Sequence, residues 1–367
     1  MDRPRSSKPA RRTPAAKVQV GSSAINASDL RGLQEAWEKK HLVLFLGAGL
    51  SIPYGVPSWK DLVLELLFEQ AEHTRRLGDM WPHYMRALAS WMTDYFDYNP
   101  LILARMVERD LRERGKRRGG RSDPEAAFLS SLRQRLYAHC KPATGPRTAL
   151  AAVADLIQRS SDGNVRCAVS FNFDDLLEKE LGQRGVATDS ICDGERRHSS
   201  AFRIVHAHGF VPEKGDARRQ HLVFTEDDYH DLTETVFHWA LSEIVLHLRQ
   251  NTVLFVGLSM SDPSLRRLLD ACRNSQIPPH WQIQKRHQVR DTEMLAVIND
   301  VEARARKWGE ILRLPETKRP DELANAVGAA LDQADAYDRE LFESMGVKTV
   351  WLKSFDDIGP LLDRIGR

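Results

Sequence analysis

Leu42-Val-Leu-Phe-Leu-Gly47-Ala-Gly49-Leu-Ser51 joins a short apolar run to a turn of two glycines and a serine. An unbroken apolar run of this length reads as a strand of a parallel sheet buried on both faces. The glycines let backbone approach a ligand where a side chain would stand in the way. Ligands of open α/β sheets bind outside the carboxyl ends of the strands. The fold therefore turns on whether other apolar runs end in similar turns, and three do. Val165-Arg-Cys-Ala-Val-Ser-Phe171 ends in Asn172-Phe-Asp174-Asp175, and Phe202-Arg-Ile-Val-His-Ala207 ends in His208-Gly209. Asn251-Thr-Val-Leu-Phe-Val256 ends in Gly257-Leu-Ser259-Met-Ser261-Asp262. As parallel strands of one sheet, the four runs would gather their polar tails on a single edge.

The order strand, glycine turn, loop, helix is that of a nucleotide-binding unit. It is not a GxGxxG turn, because Ile52 stands at the third glycine position, and no GK[ST] follows to make a P-loop. Pro53, Gly55 and Pro57 stiffen the loop. Ser58-x-x-Asp61 reads as a capping box for a helix burying Trp59, Leu62, Val63, Leu66 and Leu67. Upstream, Ser28 reads as the N-cap of a helix with Leu30, Leu33 and Trp37 on one face. Residues 68–160 read as wholly helical, with Asn99-Pro100 and Asp123-Pro124 as helix starts and the basic stretch 112–121 as the loop between two helices. The α/β pattern then resumes. His221-Leu-Val-Phe-Thr225 reads as a strand, and Thr225-x-x-Asp228 caps one long helix through Ile244. A further strand falls within residues 281–289, helices fill 291–343, and Val347-Lys-Thr-Val-Trp-Leu352 closes the sheet ahead of a short helix. The expected fold is α/β, a Rossmann-like doubly wound parallel sheet with a helical insertion subdomain. Residues 1–26 form a basic leader expected to be disordered. Residues 27–367 form the main domain, interrupted by the insertion at 68–160, which lies over the strand ends.

Composition bounds the function. At 367 residues, with 42% apolar and 28% charged content, the chain has ample core for one large or two modest domains. A net charge of +2 gives no overall bias toward nucleic acid or acidic membranes. Direct nucleic-acid contact through the leader or the 112–121 stretch stays open. Cys140, Cys167, Cys192 and Cys272 form no CxxC pair, which suits a reducing cytosol better than a disulfide framework or a zinc knuckle. No run is long enough to span a membrane and no apolar signal core opens the chain, so the expected location is cytoplasmic.

The turns carry the candidate chemistry. Gly47, Ala48, Gly49 and Ser51 offer backbone N–H groups and a hydroxyl to a pyrophosphate, or are simply a tight turn. Asn172 can hold a carboxamide, orient a water, or cap a helix. His208 can act as a base near neutral pH or contact ribose hydroxyls. His206 would point the same way on a strand, yet no third ligand stands at a metal-site spacing, so no metal is expected. Asp174 could stabilise developing positive charge or offset a helix dipole. Ser259, Ser261 and Asp262 could bind ribose or phosphate, and Asp262 is at least partly a helix cap.

Taken in order, these motifs resemble the sirtuin superfamily. Gly47-Ala-Gly-Leu-Ser51 is similar to its GAGxS fingerprint, Asn172-Phe-Asp174 to its [TS]xNxD element, His208-Gly209 to its HG element, and Gly257-Leu-Ser259 to the turn that meets the nicotinamide-side ribose. The deacylating members carry a zinc module of two CxxC pairs and a G-[IV]-P-D-F-R segment. Here there is no such module, and Gly55-Val-Pro57-Ser58-Trp59-Lys60 stands in place of that segment. Val-Pro-Ser-Trp, Phe-Asn-Phe-Asp-Asp-Leu-Leu-Glu, Leu-Val-Phe-Thr-Glu-Asp-Asp-Tyr229 and Val-Gly-Leu-Ser-Met-Ser-Asp resemble instead the bacterial sirtuin-like branch of antiviral defence systems. That resemblance implies a hydrolase that cleaves NAD+, with Asn172 and His208 as the catalytic pair. Gly47, Ala48, Gly49, Ser51, Asp174, Gly257, Ser259 and Asp262 then hold the dinucleotide. It further implies activity gated by a homo-oligomer or by a partner, an ATPase of the HerA type or an Argonaute-type protein. The alternatives are an NAD-dependent protein deacylase and a non-catalytic nucleotide-binding assembly subunit.

Overall fold

The computed structural model describes residues 25–67, 99–117, 123–142, 147–160, 162–195, 200–215, 222–234, 238–273, 278–312 and 320–366, with a few helical residues between 87 and 95. Residues 1–24 of the leader, most of 68–98 and the 118–121 part of the basic stretch therefore lie outside the described residues.

Seven strands form one sheet: β1 (Leu42–Leu46), β2 (Val165–Ser170), β3 (Thr188–Ile191), β4 (Phe202–His206), β5 (Thr252–Val256), β6 (His280–Lys285) and β7 (Val347–Leu352). Their order is β3-β4-β2-β1-β5-β6-β7, and every pairing is parallel. Each parallel neighbour requires a crossover, so helices cover both faces. All five residues of β1 and all five of β5 are buried. Side-chain alternation splits them into two cores. Leu42, Leu44, Leu46, Leu254 and Val256 face α1 (Ala27–Glu38), α5 (Ala149–Arg159), α6 (Leu176–Gln183) and α12 (Ile358–Ile365). Val43, Phe45, Val253 and Phe255 face α8 (Trp239–Gln250), α9 (Pro263–Cys272) and the end of α11 (Pro320–Ser344), which pairs with α10 (Asp291–Leu312). From β1 the chain builds outward through β2 to β4 and β3, then returns to lay β5 on the other side of β1. That reversal is the topological switch point, the place where such sheets bind ligands.

Helices α2 (Trp59–Leu67), α3 (Pro100–Arg117) and α4 (Pro124–Leu136) pack on one another and extend the first core. The foot of α4 meets the strand-end turns. Arg133 donates to Gly215 O at 2.8 Å, Lys141 N to Tyr54 O at 2.9 Å, and the rings of Phe128 and Phe224 lie 5.5 Å apart. The helical insertion thus stands against the carboxyl edge of the sheet.

Four local expectations change. Asn26, not Ser28, caps α1, because its side chain accepts from Asp29 N, while Ser28 Oγ donates to that same Asn26 side chain. The basic stretch is not all loop: α3 continues to Arg117, steadied by Arg112 on Glu108 and Glu125 and by Lys116 on Glu113. Residues 222–224 are buried without joining the sheet. Val223 N reaches only His208 O, and Phe224 instead packs among Trp59, Phe128 and Phe173. His221, Val236 and Phe237 lie outside the described residues. The single long helix is two, α7 (Glu226–Glu234) and α8, with His238 capping α8 through Ala240 N. β3 gave no apolar signal, being a four-residue edge strand that includes Thr188, Asp189 and Ser190.

Candidate active site

The turns after β1 and β5 are joined backbone to backbone across the switch point. Gly47 N donates to Val256 O at 3.0 Å and Gly49 N to Gly257 O at 2.9 Å. A Cβ on Gly47 would stand 2.6 Å from Gly257 O, and one on Gly49 would stand 2.9 Å from Gly257 Cα. Gly257 itself takes φ +69°, a conformation that side chains disfavour. The sequence suggested that these glycines clear room for a ligand. In the structure they clear room for each other. Ser51 N also closes within the turn, on Ala48 O at 2.9 Å. Of the four N–H groups read as pyrophosphate donors, only Ala48's has no internal partner among the described residues.

Asn172 follows β2 and reaches across to this welded corner. Its Nδ2 donates to Gly47 O and to Ser51 Oγ, both at 3.1 Å. Gly47 O can only accept, so the amide orientation is fixed and both N–H donors are engaged. The Oδ1 acceptor is what remains to face a ligand. Ser51, itself buried, passes the constraint on by donating to Asp174. Asp174 accepts Leu176 N at 3.1 Å and lies fully inside the protein. Burial pushes its carboxyl up to about 6, against the opposing pull of the Ser51 and Leu176 hydrogen bonds. Asp174 is therefore the support of Ser51 and of the α6 start, one layer behind Asn172. Next to it, Asp175 accepts the Tyr137 hydroxyl at 2.9 Å, Lys179 Nζ at 2.7 Å and Glu213 N at 3.0 Å. Asp175 N in turn donates to Tyr137 Oη at 3.0 Å. Tyr137 belongs to the foot of the insertion, so the insertion braces the turn that carries Asn172. Sequence reading missed Tyr137; its place one residue beyond the Phe128, Leu129, Leu132, Leu136 stripe was the available signal.

His208, beyond β4, finds its partner on the far side of the switch point. Its Nε2 lies 2.9 Å from Asp262 Oδ2, and both side chains are about nine-tenths buried. β2 and β1 separate β4 from β5, three strand spacings or about 14 Å. The contact thus arches over the ends of the two central strands and encloses the Asn172 corner. Phe171, the residue before Asn172, sets its ring edge-on to the imidazole at 5.0 Å, and Tyr229 approaches at 5.8 Å. Burial would raise the Asp262 carboxyl, but the His208 hydrogen bond and charge, with the Leu265 and Ser264 N–H groups, hold it below the usual range. Asp262 Oδ1 caps α9 at 2.7 Å from Ser264 N, while Oδ2 serves the histidine. One carboxylate is both cap and imidazole partner. Ser259 and Ser261 are exposed and bond to each other at 2.6 Å, apart from the asparagine and the histidine. His206, the companion in a two-histidine metal reading, turns to Glu178 at 2.7 Å and does not share a partner with His208.

Residues 166–307 match the family model described as a SIR2-like domain. That segment is sirtuin-like. The match runs from β2 into α10 and holds the Asn172, Asp174, His208, Gly257, Ser259 and Asp262 positions, with the Gly47 turn lying upstream of it. A SIR2-like domain points to NAD-related catalysis. The chain has no match among curated proteins. All four cysteines are free thiols in separate places, and among the described residues no cluster of His, Cys, Asp or Glu is arranged to hold a metal ion. No described helix is long and apolar enough to cross a membrane.

Proposed function

We propose that this sirtuin-like chain is an NAD+ glycohydrolase that cleaves NAD+ to nicotinamide and ADP-ribose. One observation carries the reading. Asn172 and His208 sit on a single rim at the switch point, each pinned by one edge so that the other edge offers an acceptor. Asn172 has both N–H donors engaged and presents Oδ1. His208 has Nε2 against Asp262, which favours the tautomer with Nδ1 as the bare nitrogen.

The nicotinamide–ribose bond breaks through an oxocarbenium-like transition state of the kind glycosidases stabilise. Asn172 Oδ1 would accept a hydrogen bond from the attacking water or from the nicotinamide carboxamide, contributing orientation. Water oxygen bonds to the anomeric carbon as the carbon–nitrogen bond breaks, and the ring nitrogen of nicotinamide keeps the electron pair. His208 Nδ1 would take the proton released by the water or by a ribose hydroxyl, and Asp262 would stabilise the imidazolium. The joined glycine turns favour a stiff floor for the dinucleotide.

The resemblance to defence proteins extends the proposal: a cytoplasmic, NAD-depleting effector in bacterial antiviral defence, restrained until it assembles as a homo-oligomer or meets an ATPase of the HerA type or an Argonaute-type partner. The test is NAD+ turnover at several protein concentrations, with and without an acetylated peptide, beside a mass measurement of the assembly. Peptide-independent nicotinamide release supports hydrolysis. Release that requires the peptide assigns a deacylase. Binding without turnover in every assembly state assigns a nucleotide-binding subunit.

A further inference from the structure

Behind Asn172 lies a second histidine that the hydrolytic scheme does not use. His206 closes β4 and is 1% exposed. Its Nε2 lies 2.7 Å from Glu178 Oε1, and its Nδ1 lies 3.3 Å from the backbone carbonyl of Asn172. Ser190 Oγ donates to the same Glu178 oxygen at 2.7 Å, and the Phe210 ring lies 4.2 Å from the imidazole. Glu178 Oε2 is buried with no hydrogen-bond partner among the described residues.

Counting protons decides what this arrangement is. The Asn172 carbonyl can only accept, so Nδ1 must carry a hydrogen. The contact with Glu178 needs another, on Nε2 or on the carboxyl. The pair therefore holds one proton more than a neutral imidazole beside a carboxylate. Without that extra proton, either the Nδ1 lone pair faces the Asn172 oxygen or the Nε2 lone pair faces a carboxylate, and one of the two contacts turns repulsive. The charged groups around the ring are Glu178 on α6 and the buried Asp174 of the preceding turn; Ser190 on β3 and Phe210 are neutral.

We infer that His206 and Glu178 form a proton-holding pair that positions Asn172 through its backbone carbonyl, so that loss of the shared proton on the alkaline side releases the asparagine. His206 is a positioning residue and touches no reacting atom. This rests on the assignment of Asn172 above. The amide of Asn172 is tied to the β1 turn and its carbonyl to His206, so the residue is clamped between β1 and β4. Releasing one jaw lets the side chain drift, and misplacement of about 1 Å is worth roughly a hundredfold in rate.

The test uses the full chain labelled with 15N-histidine, the His206 signals being assigned by their loss in His206→Gln. Protonated Nδ1 at neutral pH, lost on the alkaline side in step with NAD+ turnover, is the expected result. Glu178→Gln is the diagnostic variant. A glutamine amide donates to Nε2 without any extra proton, so a neutral ring keeps its Nδ1 hydrogen on the Asn172 carbonyl. The alkaline fall in turnover should disappear in that variant. His206→Ala should lower kcat roughly 10- to 100-fold with KM nearly constant. A bare Nδ1 at neutral pH, or an alkaline limb unmoved by Glu178→Gln, overturns the inference. Should the wild-type chain prove unable to hydrolyse NAD+ in any assembly state, the functional reading fails, while the ring signals still decide whether the pair holds its proton.

Discussion

Replacing Asp174 with asparagine tests the buried layer beneath the asparagine, and the carboxyl it removes fixes the magnitude. Burial holds the Asp174 carboxyl at about 6, against a reference of 3.8. The folded state then binds more protons than the unfolded chain across that window. The stability contributed is complete below the reference value and is lost as pH rises through about 6, an effect of about 3 kcal/mol at 1.36 kcal/mol per pH unit. His280 acts with the opposite sign. Burial pushes its imidazole down to about 4 from 6.5, so its contribution is complete above 6.5 and is lost as pH falls through 4, again about 3 kcal/mol. In the wild-type chain these two contributions oppose each other over the acid side of neutrality. Asp174→Asn removes one of them and exposes the other. Urea unfolding at a series of pH values between about 4 and 7 should show the variant gaining about 3 kcal/mol relative to wild type as pH rises. The new amide brings two N–H donors where the carboxyl brought at most one, and leaving one unsatisfied lowers the whole curve by about 1–3 kcal/mol without altering its slope. A wild-type-minus-variant difference that stays constant across this range would refute the claim that Asp174 is a desolvated carboxyl supporting Ser51.

Asn172→Ala and His208→Ala should each abolish nicotinamide release while circular dichroism and the unfolding midpoint show a folded chain. Wild-type turnover in both would unseat the assignment. Asp262→Asn puts an N–H donor against His208 Nε2 and moves the ring proton to Nδ1, so kcat should fall at least about 100-fold with the α9 cap kept. Gly47→Ala has no φ penalty but drives a Cβ to 2.6 Å from Gly257 O, whereas Gly163→Ala sits at φ +80° with nothing within 4 Å. Denaturant curves should place the first at a loss of roughly 3 kcal/mol or more and the second near 1 kcal/mol; equal losses would mean the joined turns can part freely. Tyr137→Phe removes the hydroxyl shared by Asp175 and Val211, and should lower stability by about 1–3 kcal/mol together with turnover.

The sheet was legible because its central strands are mostly apolar and run into glycine, asparagine or histidine, so length and ending agree. The edge strand β3 was not, since its polar, buried or half-buried residues Thr188, Asp189 and Ser190 make no apolar run. Residues 222–224 misled for the converse reason. Their apolar character serves an aromatic cluster with Trp59, Phe128 and Phe173, and burial alone does not make a ladder. Asn172 and His208 were readable as residues at strand ends. What holds them was not. Ser51 lies 121 positions from Asn172, and Asp262 lies 54 positions from His208, so neither pairing leaves a local trace. The glycines were found for a reason the structure revises: the demand for no side chain comes from the neighbouring turn.

That revision bears on how the site can be regulated. A glycine turn that served only a ligand would be loose until the ligand arrived. Here the turns after β1 and β5 are bonded to each other, Asn172 is bonded to the first of them, and His208 is paired with the residue that caps the helix after the second. All of these anchors lie within the α/β core. A brace that comes from outside it is Tyr137 at the foot of the insertion, on Asp175 and Val211. A partner or a second copy that shifted the insertion would act on the Asn172 turn through Tyr137, and on the His208 ring through α3, whose Arg105 pairs with Asp227 of α7, the helix that carries Tyr229. Regulation by the first route alters the position of the asparagine. Its signature is a change in kcat with assembly that is weakened in a Tyr137→Phe chain.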